Sequence, residues 1–323
     1  MERDMSCDFP KKAYFVQGRS QPVFSRPSGH SGASILVRCW QCLGCRLWVR
    51  ADWQTRCMLE ARMHEHNTFV TCTYDDEHLP KDLDVSLVES QLFVARLRKA
   101  VGSPLTFMSL GEYGDRTARP HYHYTVFGLK AENLALFSAK RGNCLYRSAS
   151  LEAVWGRGNV LVAEATPQTM AYVAGHQLKD LVNVRERQRT GYELVDVNTG
   201  ELRKRRVPFR TQSNRPAIGK RWFDEFWRDV FVAQDGTVIL NGERRAAPRY
   251  FWRLLEKQQP ELFAKLWAER VLFAESEQFR KEQTPQRLAA RALVRSAKIG
   301  LRRDPRERLE QVPWVIGVEG LPF

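Results

Sequence analysis

The segment PLTFMSLGEYGDRTARPHYHYTVFG, residues 104–128, leaves little freedom in how this chain can fold. Two runs rich in aromatic and β-branched residues, PLTFMSLGEY and PHYHYTVFG, flank the turn-rich GDRTAR. Runs of this kind read as strands. Two strands joined by so short a turn must pair antiparallel, because a parallel partner needs a crossover of a dozen residues or more. Around this pair the sequence reads as a helix at 43–66, a strand at 67–74 and a helix at 86–100. A loop, a short helix at 151–155, a strand at 160–163 and a helix opening at Pro167 follow. The order predicts an α+β fold, a central antiparallel sheet flanked by helices.

The second strand carries His121 and His123 one residue apart, so both imidazoles leave the same face of the sheet. Glu112 closes the neighbouring strand, and the short turn brings its carboxylate toward the histidines. Two imidazoles and one carboxylate, with positions left open, suit Mg²⁺ or Mn²⁺ that must also take a phosphate oxygen. The plain alternative is cross-strand packing of the rings with Glu112 at the surface. The helix expected at 167–181 starts with Thr166 as N-cap and Pro167 at the first position. Its apolar side is Met170, Ala174, Leu178 and Leu181, whereas Tyr172, His176 and Lys179 fall opposite. A phenol, a base and a cation are what attack on a phosphodiester needs. The same pattern also describes a solvated polar face.

Charge narrows the partners. With 51 Lys and Arg against 37 Asp and Glu, the net charge is +14, which favours a polyanion, nucleic acid above all. No apolar run reaches transmembrane length, and the opening MERDMSCDFPKK lacks a signal-peptide core, so a soluble intracellular protein is expected, away from membranes. Seven unevenly spaced cysteines fit a reducing cytoplasm better than a disulfide framework. Three of them, Cys39, Cys42 and Cys45 in CWQCLGC, have the spacing of a structural Zn²⁺ site, with Cys57 or His64 as fourth ligand; the alternative is unligated thiols. Basic and aromatic residues interleave in RKRRVPFR, which carries Arg203, Lys204, Arg205 and Arg206, and in KRWFDEFWRDVF, which opens with Lys220 and Arg221. Such stretches suit a groove that tracks a nucleic-acid backbone, although the second also reads as an amphipathic helix. Residues 190–210 look like a hairpin. The organisation expected is an irregular arm at 1–34, the α+β domain at 35–233, and a basic, mainly helical region at 234–323.

Taken in order, CLGCRLWVRADWQTRCMLEA, FVTCTYDDEHLP, GEYGDRTARPHYH, YVAGHQLKD and SNRPAIGKRWF resemble the replication initiator proteins of small single-stranded DNA phages, the microviruses of gokushovirus type. The resemblance spans about residues 39–223. It implies the fold of the HUH endonucleases, with His121, His123 and Glu112 as metal ligands, Tyr172 as nucleophile and Lys179 on the same helix. The implied activity is site-specific nicking and strand transfer on single-stranded origin DNA through a 5′-phosphotyrosyl link, which starts rolling-circle replication in the cytoplasm of an infected bacterial host. A host helicase and DNA polymerase would be its partners. Relatives often carry a second tyrosine four residues after the first; His176 stands there, and Gly175 stands where a lysine is usual. A plasmid relaxase, plasmid initiator or transposase of the same superfamily is the nearest alternative. A non-catalytic, zinc-stabilised nucleic-acid-binding protein is the alternative of another class.

Overall fold

The computed structural model describes residues 7–14, 23–28, 34–114, 117–140, 143–175, 193–195 and 200–301. These divide into two compact units, one within residues 51–252 and one formed by the stretches up to 50 and from 253.

The first unit is built on a seven-stranded sheet in which every neighbouring pair is antiparallel, as the short turn at 114–119 requires. Its strands are β3 (Asn67–Thr73), β4 (Thr106–Tyr113), β5 (Pro120–Phe127), β6 (Leu134–Lys140), β7 (Asn143–Ser148), β8 (Val160–Glu164) and β11 (Phe209–Gln212). Their spatial order is β11-β4-β5-β3-β8-β7-β6, which sets β5 near the middle. The α+β fold with a central antiparallel sheet is therefore as expected. The β6–β7 hairpin is not, since the sequence reads there as a loop.

Alternation sorts the side chains of the central strands onto two faces. Tyr122, Tyr124 and Val126 of β5 join Val70, Cys72, Val160 and Val162 in one buried cluster with helices α2 (Leu87–Val101) and α3 (Ala149–Trp155). Helix α2 buries Ser90, Phe93, Val94 and Leu97, a spacing that repeats near 3.6 residues and so forms one stripe. Ser86 caps its start by accepting from the Glu89 N–H, and Gly102, in the left-handed region at φ 68°, ends it. Trp155, at the end of α3, packs against Tyr74, Phe93 and Tyr122 and donates its indole N–H to the Thr73 carbonyl at 3.0 Å.

The opposite face presents Phe69, Thr71, Leu110, Glu112, His121 and His123. It meets residues of α1 (Leu43–Ala61) and α4 (Pro167–Ala174). His64, just past α1, stacks on Phe127 with ring centroids 6.2 Å apart, and Gln54 of α1 donates to the Pro167 carbonyl at 2.8 Å. Helix α4 begins as its sequence predicts. Thr166 accepts from the Thr169 N–H at 3.3 Å while Thr169 Oγ1 accepts from the Thr166 N–H at 2.9 Å, with Pro167 at the first position. The division into an apolar and a polar side is less sharp than expected, because Ala171 and Val173 are buried along with Met170 and Ala174. The remainder of the helix expected at 175–181, with His176 and Lys179, lies outside the described residues.

Three further pieces complete the two units. Glu193–Val195 pairs with Leu202–Lys204 as β9 and β10, in line with the expected hairpin. Thr237–Leu240 and Glu243–Ala246 form a second hairpin, β12–β13. In the other unit, β1 (Lys11–Ala13) pairs with β2 (Ile35–Val37), so part of the stretch expected to be irregular is a strand. From 249 to 301 the chain is helical: Arg249–Gln258, Pro260–Glu275, Glu277–Glu282 and Pro285–Leu301.

Candidate metal and tyrosine site

Antiparallel register assembles the site. Across β4 and β5, Glu112 sits directly opposite His121, and Leu110 opposite His123, so the carboxylate and both imidazoles leave one face of the sheet together. Glu112 Oε1 lies 3.4 Å from His121 Nε2 and 3.1 Å from His123 Nε2. One donor atom from each of the three residues lies within 4.8 Å of the others. Glu112 is 1 % and His123 5 % exposed, so packing around these groups is close and their charge is shielded from water.

The other ring nitrogens are held as well. His123 Nδ1 lies 2.9 Å from Thr71 Oγ1, and Thr71 faces His123 in the β3–β5 register. His121 Nδ1 donates to the Arg119 carbonyl at 3.3 Å. Phe69 stacks flat on His123, with centroids 5.6 Å apart and an interplanar angle of 16°. Anchoring one nitrogen and stacking the ring fixes which way the other nitrogen faces, and this is the usual support of a metal-binding imidazole. Asp75 and Asp76, at the end of the first strand motif, are engaged elsewhere: Asp75 binds His78 at 2.8 Å, and Asp76 pairs with Arg119 at 2.6 Å.

Tyr172 of α4 reaches the same place from above the sheet. Its ring meets His123 edge-on, with centroids 5.1 Å apart at 88°, and its hydroxyl donates to Glu112 Oε1. Arg210 of β11 steadies the end of this helix by donating to the Ala174 carbonyl at 3.1 Å, a cation at the negative end of a short helix dipole. Burial lowers the Arg210 pKa, yet a guanidinium stays charged. Thr71 and Arg210 are contributors that sequence reasoning missed.

The cysteines divide differently from expectation. Cys39, Cys42 and Cys45 come together, and the fourth sulfur beside them is that of Cys7, with one donor atom from each within 4.8 Å of the others. Cys57 is not part of the group. It lies twelve residues beyond Cys45 in one continuous helix, which at about 1.5 Å per residue is roughly 18 Å along the axis. It is wholly buried, and burial pushes its thiol up to about 12 against the weaker pull of Arg56 and Arg210. His64 is engaged by Glu60 at 3.1 Å. In the four-cysteine group burial raises Cys42 and Cys45. Burial acts upward on Cys39 too, but the backbone N–H groups of Cys42 and Gln41 outweigh it and bring that thiol down to about 7.

The candidate nucleic-acid residues also separate. Arg205 is inserted into the fold: it donates to the Leu83 and Ala118 carbonyls, lies 3.5 Å from Asp84 and stacks 3.6 Å above the Tyr113 ring. Such a side chain is occupied with holding the turn after β4 to the loop before α2. Lys204, Arg206 and Arg221 are exposed, and Lys220 pairs with Asp224 on its own helix. The Arg203 side chain lies outside the described set.

A two-histidine strand, a facing carboxylate and a tyrosine on the covering helix sit within one family of proteins. Residues 67–181, which hold all four, match the model of the replication-associated protein ORF2 family. The chain belongs to that family. It is 28 % identical to the replication-associated protein VP4 of Bdellovibrio phage phiMH2K over 80 % of this chain and 79 % of that one. It is 31 % identical to the replication-associated protein ORF4 of Chlamydia phage 1, over 69 % of this chain and 54 % of that one. With the replication-associated protein ORF2 of Spiroplasma virus 4 it shares 27 % over 70 % of each chain. No solved structure matches it. It is a phage-type replication-associated protein. No helix among the described residues is long and apolar enough to cross a membrane.

Proposed function

We propose that this chain is a metal-dependent, site-specific single-strand DNA endonuclease and strand transferase of the HUH type, which starts rolling-circle replication of a single-stranded DNA phage genome. The observation that carries the reading is the hydrogen bond from the Tyr172 hydroxyl to Glu112, which gathers a nucleophile, a carboxylate and two imidazoles at one point of the sheet. A tyrosine serving only to pack would not need its phenol aimed at a buried carboxylate beside two histidines.

The residues fit a hard divalent cation. Three donors from adjacent strands lie close enough to share one ion, and the hydrogen bonds to Thr71 and Arg119 leave both Nε2 atoms facing the carboxylate. Mg²⁺ or Mn²⁺ held by Glu112, His121 and His123 would polarise a non-bridging oxygen of the scissile phosphate. Tyr172 Oη attacks the phosphorus, the O3′ leaves with a proton, and the DNA 5′ end is joined to the phenol. Because one phosphodiester replaces another, the bond energy is retained for rejoining. Edge-on contact with His123 and the hydrogen bond to Glu112 hold the phenol oxygen next to the ligand set, which is the positional part of catalysis. His176 as a proton acceptor and Lys179 as a cation for the phosphate complete the proposal. Lys204, Arg206 and Arg221, exposed and positive, are the proposed backbone contacts. The free 3′-OH is a primer for a host polymerase, and unwinding falls to a host helicase in the cytoplasm of the infected cell.

The test is an origin-bearing single-stranded oligonucleotide incubated with the full chain and Mn²⁺. A covalent protein–DNA adduct is expected, lost in Tyr172→Phe while DNA binding persists. Undiminished adduct in that variant would assign the chemistry to another residue. Binding with no adduct in the unaltered protein would favour the zinc-stabilised, non-catalytic reading.

A further inference from the structure

Four cysteines in the unit formed by residues up to 50 and from 253 take no part in that reaction. We propose that Cys7, Cys39, Cys42 and Cys45 bind one Zn²⁺ in a closed tetrathiolate site that fastens the segment at Cys7 and Asp8 to the start of α1.

The sulfur positions fit. The Sγ atoms of Cys39 and Cys45 are 3.9 Å apart, as are those of Cys42 and Cys7. A regular tetrahedron with Zn–S bonds of about 2.3 Å has edges of roughly 3.8 Å. A disulfide needs its sulfurs at about 2.05 Å, and all four cysteines are free. Simple packing of reduced thiols accounts poorly for the group. Cys7, Cys42 and Cys45, with Cys39 against them, form a buried cluster whose described members are all cysteines, where an ordinary satellite core would recruit leucine or valine.

Backbone amides supply the second observation. The Cys39 N–H is directed at Cys7 Sγ (3.3 Å), that of Cys42 at Cys39 Sγ (3.3 Å), that of Cys45 at Cys42 Sγ (3.4 Å), and that of Asp8 at Cys42 Sγ (3.2 Å). Four thiolates around one dication leave two negative charges in excess, and amide dipoles aimed at the sulfurs disperse them. Thiols need no such array. Asp8 ties the two segments together from the side, accepting from the Gly44 N–H at 2.9 Å and pairing with Arg295.

The donor set also fixes the class of ion and its role. Soft thiolates select Zn²⁺ over the hard cations suited to Glu112, His121 and His123. Cys7 and Cys45 are almost fully buried and four protein ligands fill a tetrahedron, so no position remains for substrate. The site is structural, and its binding free energy becomes folding free energy for the segment it closes.

The experiment measures metal in the full chain, expressed with zinc and dialysed against EDTA. One zinc per chain is expected, retained in a His121→Ala/His123→Ala variant and in Cys57→Ala, lost to background in Cys7→Ser, and released by an organomercurial thiol reagent. Retention in the histidine variant separates this site from the proposed catalytic one. Because Cys7→Ser risks misfolding, Co²⁺ exchange of the unaltered chain gives an independent reading. Tetrahedral thiolate ligation predicts sulfur-to-cobalt charge transfer in the near ultraviolet and strong ligand-field bands in the red. Zinc-free protein whose thiols alkylate fully without a chelator, iron in place of zinc, or loss of zinc in Cys57→Ala with retention in Cys7→Ser would each overturn the proposal.

Discussion

Thr71→Val isolates one hydrogen bond beneath the proposed metal site. Valine keeps the β-branched shape that suits a buried strand and removes only the hydroxyl that sits 2.9 Å from His123 Nδ1. Binding a cation through Nε2 requires the Nδ1–H tautomer, so Thr71 Oγ1 must accept in the bound state. Without metal, the ring can take the other tautomer and give its proton toward Glu112, 3.1 Å away. The loss therefore falls mainly on the bound state. Removing one partner of a buried hydrogen bond costs about 1–3 kcal/mol, in keeping with the roughly 10–100-fold loss of affinity seen when such supports are removed from metal-binding histidines. Mn²⁺ titration by calorimetry is expected to show a Kd higher by that factor, with nicking restored at saturating Mn²⁺ and little change in thermal midpoint. Unchanged Mn²⁺ affinity in Thr71→Val, alongside lost affinity in His123→Ala, would refute the tautomer argument. Unchanged affinity in both would remove His123 from the ligand set.

Three further outcomes follow from particular side chains. Burial acts to raise Glu60, but hydrogen bonds from His64 and the Gly219 N–H, with attraction to His64, hold it below the usual carboxylate range. A depressed carboxylate adds stability that is full at neutral pH and lost as pH falls through its folded-state pKa. Urea unfolding should therefore show Glu60→Gln less stable by about 1–3 kcal/mol at pH 7, the gap closing under acid, and a gap that widens under acid would reverse the assignment. Trp155→Ala should cost about 3–5 kcal/mol, because the ring fills the cluster on the face away from the histidines and no neighbour can replace it; a loss under about 1 kcal/mol by the same assay would mean that the cluster closes over the gap. For DNA, Arg206→Ala should lower the slope of log affinity against log salt by about one, whereas Arg205→Ala should act first on the thermal midpoint. The reverse ordering would put Arg205 at the nucleic acid.

The sequence shows the sheet best where both of its faces are covered. In HYHYTVF, Tyr122 through Phe127 are all buried, so the familiar apolar–polar alternation is absent and only the change of chemistry, histidine then tyrosine, marks two faces. Tyr122 turns toward Ser86, whose N–H it accepts at 2.8 Å, while its neighbours turn toward Glu112. Strands with an exposed side were harder to read. Leu134 and Leu136 of β6 face outward at the sheet edge, so no buried pattern distinguishes that hairpin from a loop. The β12–β13 hairpin did carry a signal, Asn241-Gly242, both at positive φ as a tight hairpin turn demands, and the reading of the tail as helical passed over it. Cys7 and Thr71 lay beyond any local pattern. Cys7 stands 32 residues before CWQCLGC, and nothing in that spacing selects it over Cys57. Thr71 looks like any strand former until the β3–β5 register sets it opposite His123. Residues that hold a ligand in place are chosen by pairing in space, whereas the ligands announce themselves by type. His121, His123 and Glu112 were therefore readable from the chain alone, and the hydroxyl that orients one of them required the sheet.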